Sequence, residues 1–98
     1  MRVLTTPAFR KRVKRLHPNQ KADLDRAVRR ILSNPAAGDA KAGDLAGVRV
    51  YKFRLVNQLT LLAYELSPGH DAVILLSVGS HENFYRDLKT DARPKDSQ

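Results

Sequence analysis

The sequence predicts an α+β domain in which an N-terminal helix hairpin packs on a small antiparallel sheet, closed by a short C-terminal helix. Three observations predict it. Apolar residues at helical spacing are confined to the first third of the chain, strand-type patterning begins at Val48, and Pro- or Gly-containing breaks separate the segments. A length of 98 residues allows one core. A hydrophobic content of 42% is enough to pack it, which argues against general disorder.

Taken in order, Arg2 to Thr5 suits a short edge strand. Thr6 followed by Pro7 suits a helix start, with threonine as N-cap and proline at the first helical position. Phe9, Val13 and Leu16 form one apolar stripe, while Arg10, Lys11, Arg12, Lys14 and Arg15 project elsewhere. Pro18 is expected to stop this helix near His17. Asn19 is the expected cap of a second helix reaching about Leu32, with Leu24, Val28, Ile31 and Leu32 buried and Asn34-Pro35 ending it. Ala36 to Gly47 reads as a long loop and a candidate binding loop.

The strands follow. Val48 to Leu55 alternates, whereas Leu59 to Leu66 and Ala72 to Val78 are nearly continuously apolar. Val56-Asn57-Gln58 and Ser67-Pro68-Gly69-His70 are the expected hairpin turns. An apolar central strand implies burial on both faces, with the helices covering at least one. Past Gly79, a turn and a short helix are expected. The domain is expected to span residues 1–89, leaving a polar, disordered tail over 90–98. No internal repeat is visible.

Composition narrows the function classes. Lys and Arg number 18 against 10 Asp and Glu, a formal charge of +8, and self-repulsion of this kind opposes compactness unless a polyanion is met. There is no cysteine, which excludes disulfides, thiol nucleophiles and Cys-based metal sites. No apolar run suits a signal peptide or a membrane span, and no basic helix has a broad apolar face. A cytoplasmic protein that does not bind membranes is therefore expected.

Two constellations carry possible chemistry. On the first strand, period two puts Lys52 and Arg54 on one face about 7 Å apart. Arg49, Tyr51, Phe53 and Leu55 take the other. Two adjacent cations repel unless an anion lies over them, and a phosphodiester meets that need, with arginine as a fork and lysine as a point charge. The same pair is also compatible with a plain solvated sheet face. The second constellation is Gly79-Ser80-His81-Glu82-Asn83-Phe84-Tyr85-Arg86-Asp87-Leu88-Lys89. In a helical turn His81 and Tyr85 share a face at i, i+4. Histidine exchanges protons near neutral pH, aromatic rings stack on unpaired bases, and Arg86 and Lys89 hold a nucleic-acid backbone. A helix packed on the sheet through Phe84 and Leu88 is the competing reading. His17 and His70 read as surface residues in turns. No His–carboxylate pair has metal-ligand spacing, and Ser77 and Ser80 lack the G-x-S-x-G elbow of an acyl-transfer nucleophile.

The order of elements, with Tyr51-Lys52-Phe53-Arg54 opening a three-stranded meander, resembles the RelE/ParE superfamily of type II toxin–antitoxin toxins. Leu62-Ala63-Tyr64-Glu65 is similar to the family's central strand. Gly79-Ser80-His81 with Phe84-Tyr85 is similar to the ending of YafQ-type toxins, and the fuller ending resembles a ParE-like group. The resemblance covers residues 2 to 89. It implies a metal-independent, cofactor-free, ribosome-dependent mRNA endonuclease, or alternatively a non-enzymatic inhibitor of DNA gyrase. It also implies a cognate antitoxin as partner. By the same resemblance Lys52 and Arg54 contact the phosphate, His81 is the general acid, and Tyr85 orients the substrate with Phe84 as its substitute. Leu61 stands where RelE has an arginine, so Arg86 or Arg49 is the expected source of the missing charge.

Overall fold

A computed structural model describes residues 1–81 and 84–92. The elements run β1 (Arg2–Thr5), α1 (Pro7–Val13), α2 (Pro18–Ser33), β2 (Asp39–Ala40), β3 (Arg49–Leu55), β4 (Gln58–Leu66), β5 (Ala72–Ser80) and α3 (Phe84–Ala92). The strands form one sheet in the order β1-β5-β4-β3-β2. β1 runs parallel to β5, pairing Arg2 to Thr5 with Ala72 to Leu75, and the other pairs are antiparallel. Between Ala63 and Tyr64 the register to β5 shifts, with Ala63 opposite Ser77 and Tyr64 opposite Leu75. Leu76 is the extra residue, so both neighbours of the shift keep their apolar side chains inward.

β4 divides two apolar clusters. On one face Phe9, Leu24, Ala27 and Ile31 of the helix hairpin meet Leu55, Leu62, Tyr64, Val73, Leu75 and Val78. On the other, Phe84 and Leu88 of α3 meet Val48, Val50, Leu61, Ala63 and Leu76. Leu61, Leu62, Ala63 and Tyr64 are consecutive and all fully buried, as expected for a strand covered on both sides. Burying a leucine completely contributes about 1.5–3 kcal/mol, so Leu61 and Leu62 join the two clusters through one strand.

The helix starts are set by local chemistry. Thr6 Oγ1 accepts the Phe9 N–H at 3.1 Å and donates to the Leu76 carbonyl at 3.2 Å, which caps α1 and ties it to β5 together. α2 begins two residues earlier than expected: His17, not Asn19, is the N-cap, and Pro18 is the first helical residue. The proline forces its predecessor into an extended conformation, ψ 161°, which is the geometry an N-cap needs. The Gln20 side chain closes the turn by accepting the His17 N–H at 2.7 Å.

The expected loop from Ala36 to Gly47 contains β2, a two-residue strand that pairs with Arg49 and Val50, and a 3-10 turn at Gly43–Leu45. The loop is anchored through Tyr64, whose hydroxyl donates to the Pro35 carbonyl at 2.6 Å and accepts the Gly38 N–H at 2.9 Å. Burial pushes the Tyr64 phenol above its ordinary pKa, opposed by the Gly38 hydrogen bond and the Arg49 charge. Three residues of the expected tail, 90–92, belong to α3; the remainder, 93–98, lies outside the described residues.

The β3–β4 turn has two residues, Val56 and Asn57, with φ of 51° and 73°. Positive φ at both positions suits the right-handed twist of a hairpin. Asparagine tolerates it, but a β-branched valine does so at a cost of about 1–3 kcal/mol. The turn is held from outside by Asp23 of α2, whose Oδ2 accepts the Val56 N–H at 2.7 Å.

A candidate nucleic-acid interface

β3 presents alternate residues to the two sheet faces. Tyr51, Phe53 and Leu55 pack towards the helix hairpin, and the rings of Tyr51 and Phe53 stack with centroids 6.1 Å apart. Val50 packs towards α3, so Lys52 and Arg54 share the α3 face, and both are exposed. Lys52 pairs with Leu61, which pairs with Gly79, putting Lys52 two strands from the end of β5, about 10 Å across. Arg54 pairs with Leu59, an exposed apolar residue on the same face. His81 follows directly after Ser80, the partner of Thr60, and so leaves β5 near the level of Leu59 and Arg54.

α3 brings aromatic surface to this face. Phe84 and Leu88 are buried against the sheet, and Phe84 also lies under the Gly79 position. Tyr85 is half-buried, meets Phe84 edge-on at 5.2 Å, and has the Lys41 ammonium 5.5 Å from its ring centroid. Such a cation over an aromatic ring contributes about 0.5–1 kcal/mol at an exposed site. Lys41 belongs to the Ala36 to Gly47 segment, a candidate binding loop by sequence, within which no pattern distinguishes it. The short β2, which has no periodicity to recognise, is what carries it towards α3.

The structure thus brings Lys52, Arg54 and Tyr85 onto one face. It places others apart. His81 is exposed and stands in a turn before α3, whose first residue is Phe84, so His81 and Tyr85 are not an i, i+4 pair on one helix. Arg49 lies on the opposite parity, its Nη1 donating to the Gly38 carbonyl at 2.6 Å and more distantly to that of Ala36. It braces the loop rather than facing the Lys52 side. Arg86 and Lys89 are exposed on α3 in loose ion pairs with Asp87 (3.8 Å) and Asp44 (3.7 Å), contacts of little energetic weight. Phe84 is sequestered in the core. Leu61 is fully buried beneath α3.

Beyond the end of β1, a cavity of about 180 Å³ lies between α1, the outer edge of β5 and α3. Arg12 and Asp87, 3.9 Å apart, stand on either side of it and link α1 to α3. Among the described residues no group of three His, Asp or Glu side chains is placed to hold a metal. No described helix is long and apolar enough to cross a membrane. What remains is an open cationic face with an aromatic ring and an exposed leucine beside it. Charge there can grip a phosphate backbone, and the ring can receive a base.

The described residues form a sheet with a helix hairpin on one face and α3 on the other, and this fold is shared with solved toxin structures. The structure aligns with a double arginine-to-alanine mutant of Escherichia coli toxin RelE in the free state, with a TM-score of 0.72 at 18% identity, over 93% of this chain and 92% of that one. It also aligns with the RelBE toxin–antitoxin complexes of Mycobacterium tuberculosis (TM-score 0.68, 22% identity) and Escherichia coli (0.66, 20%). Those matches cover 82% and 83% of this chain and 96% of each matched chain. Residues 3–89 match the family of ParE-like toxins of type II bacterial toxin–antitoxin systems, and the chain belongs to that family. No curated protein sequence matches it significantly.

Proposed function

We propose that this toxin is a ribosome-dependent mRNA endonuclease that needs no metal and blocks translation. The observation that carries the proposal is the exposed Lys52–Arg54 pair on the sheet face that also bears Tyr85. In this reading the 2′-hydroxyl of the message attacks the adjacent phosphorus. The O2′–P bond forms as the 2′-hydroxyl proton passes to water, the P–O5′ bond breaks, and a 2′,3′-cyclic phosphate and a 5′-hydroxyl result. Lys52 and Arg54 neutralise the charge that grows on the phosphoryl oxygens, the kind of electrostatic assistance that supplies a few kcal/mol. His81 delivers the proton to the departing O5′, and Tyr85 with Lys41 orients the flanking nucleotide. The ribosome supplies the constrained message, which fits an open face better than an enclosed pocket, and the site of action is the cytoplasm.

The match to ParE-like toxins favours one other reading, inhibition of DNA gyrase without catalysis, for which His81 is dispensable. Induced expression of wild type and His81→Ala, with protein and DNA synthesis followed separately, decides between them. The endonuclease reading expects translation to stop, ribosome-bound messages to be cut, and His81→Ala to lose most of the effect. Intact messages with arrested DNA synthesis, unchanged in His81→Ala, would transfer the assignment to gyrase. The RelBE toxin–antitoxin complexes support a cognate antitoxin as partner, and acidic residues on such a partner would complement the charge of the cationic face.

A further inference from the structure

We propose that Asp23, on the helix hairpin side of the sheet, is a positioning residue for Arg54 and acts on it through the Val56–Asn57 turn. The inference rests on the endonuclease reading for its consequence, but not for its geometry. Asp23 Oδ2 accepts the Val56 N–H at 2.7 Å across 33 residues of sequence. Asp23 is also ion-paired to Arg26, and its side chain is only 18% exposed, so the carboxylate is itself held. The turn it grips has both residues at positive φ, and Val56 is a poor residue for that geometry. Without the carboxylate, the turn loses the contact that offsets the strain at Val56, and the twist of the hairpin alone must hold it.

The turn in turn fixes Arg54. The Asn57 carbonyl accepts Arg54 Nη1–H at 3.1 Å, which depends on the carbonyl direction that the paired positive φ values create. One of the five guanidinium N–H groups is used this way, and the rest of the fork stays on the exposed α3 face. A contact made by α2 on one side of the sheet therefore sets a cation on the other. An exposed arginine otherwise samples many rotamers, and a pre-set fork binds a phosphate with less ordering.

Selective ¹⁵N relaxation of the Arg54 Nε–H group tests the geometry in the intact toxin, free of substrate. Wild type and Asp23→Asn, which keeps an acceptor, should show an ordered Arg54 side chain. Asp23→Ala should show a mobile one, at a level typical of exposed arginines. Val56→Gly added to Asp23→Ala should restore order, because glycine adopts the turn without help. The same four proteins, each with and without Arg54→Ala, are assayed for binding a short single-stranded RNA. Asp23→Ala is expected to weaken binding about threefold to tenfold with Arg54 present, and not further once Arg54 is gone. Equal Arg54 mobility in wild type and folded Asp23→Ala overturns the inference, as does a loss in Asp23→Ala that persists undiminished in the Arg54→Ala background. Order that depends on Asp23 together with RNA cleavage that ignores Arg54→Ala sustains the positioning and instead overturns the catalytic assignment of Arg54.

Discussion

Replacing Gly38 with alanine should destabilise the toxin severely, for a reason that lies in Tyr64 and not in the backbone angles of the glycine. A Cβ at position 38 would stand 2.8 Å from Tyr64 Cε1, 2.9 Å from its hydroxyl oxygen and 3.1 Å from the Val50 carbonyl carbon. None of these neighbours yields easily. Val50 is in the sheet, and the Tyr64 ring is fully buried, with its hydroxyl tied to Pro35 and Gly38. Overpacking of this kind costs about 1–3 kcal/mol. If the loop retreats instead, the Gly38 N–H bond to Tyr64 and the Arg49 bond to the Gly38 carbonyl are lost, each worth about 0.5–1.5 kcal/mol. The expected loss is about 1–3 kcal/mol by either route, a fall in Tm of roughly 4–24 °C for a domain of this size. Thermal and urea melts followed by circular dichroism measure it. In a Tyr64→Phe background, where the closest polar contact is gone, the same substitution should cost less. A Gly38→Ala protein within about 0.5 kcal/mol of wild type would refute the reasoning, since it would mean that the loop is not held against Tyr64 as described.

Two further outcomes are expected. Because burial raises the Tyr64 pKa above its ordinary 10.0, the unfolded chain ionises first as pH rises. Stability should be full below that value and decline above it, and Tyr64→Phe should flatten the decline in urea midpoints between about pH 9 and about pH 11; an identical decline in both proteins counts against it. For RNA, if Lys52 and Arg54 each neutralise one phosphate, substituting either with alanine should reduce the slope of log K against log salt by about 0.7, and both together by about 1.4. Unchanged slopes in fluorescence anisotropy titrations would remove this face from the interface.

Much of the architecture was readable from residue patterning because it rests on local rules. Alternation in Tyr51 to Leu55 and the apolar run Leu61 to Tyr64 mark one strand exposed on one side and one buried on both. Thr6-Pro7 marks the start of α1 for the same reason that it caps the helix in the structure. What could not be read depends on contacts made at a distance. β2 is two residues long and exists because Arg49 and Val50 offer it an edge, so it carries no pattern of its own. The start of α2 turned on Pro18 acting as a first helical residue and not as a breaker, two roles that the same residue serves. The face taken by α3 follows from the fit of Phe84 and Leu88 over Leu61 and Ala63, and Lys41 reaches Tyr85 only as a result. Parity put Arg49 with Tyr51 and Phe53, so its absence from the Lys52 face was written in the period of the strand. Its embrace of the Gly38 carbonyl was not.

The position of β5 has a consequence in time. It lies between β1 and β4 and supports both α1 and α3, yet it is the last of the described strands to be synthesised. Until Ala72 to Leu75 emerge, the N-terminal strand has nothing to pair with, and Val3 and Leu4 stay without a neighbour. The hairpin that carries Lys52 and Arg54 can close earlier from local contacts, but the aromatic side of its face comes from residue 85. Pairings separated by some seventy residues close late, because the loop entropy must be met before the contact repays it. A growing chain therefore lacks the assembled face until β5 and Tyr85 have both emerged.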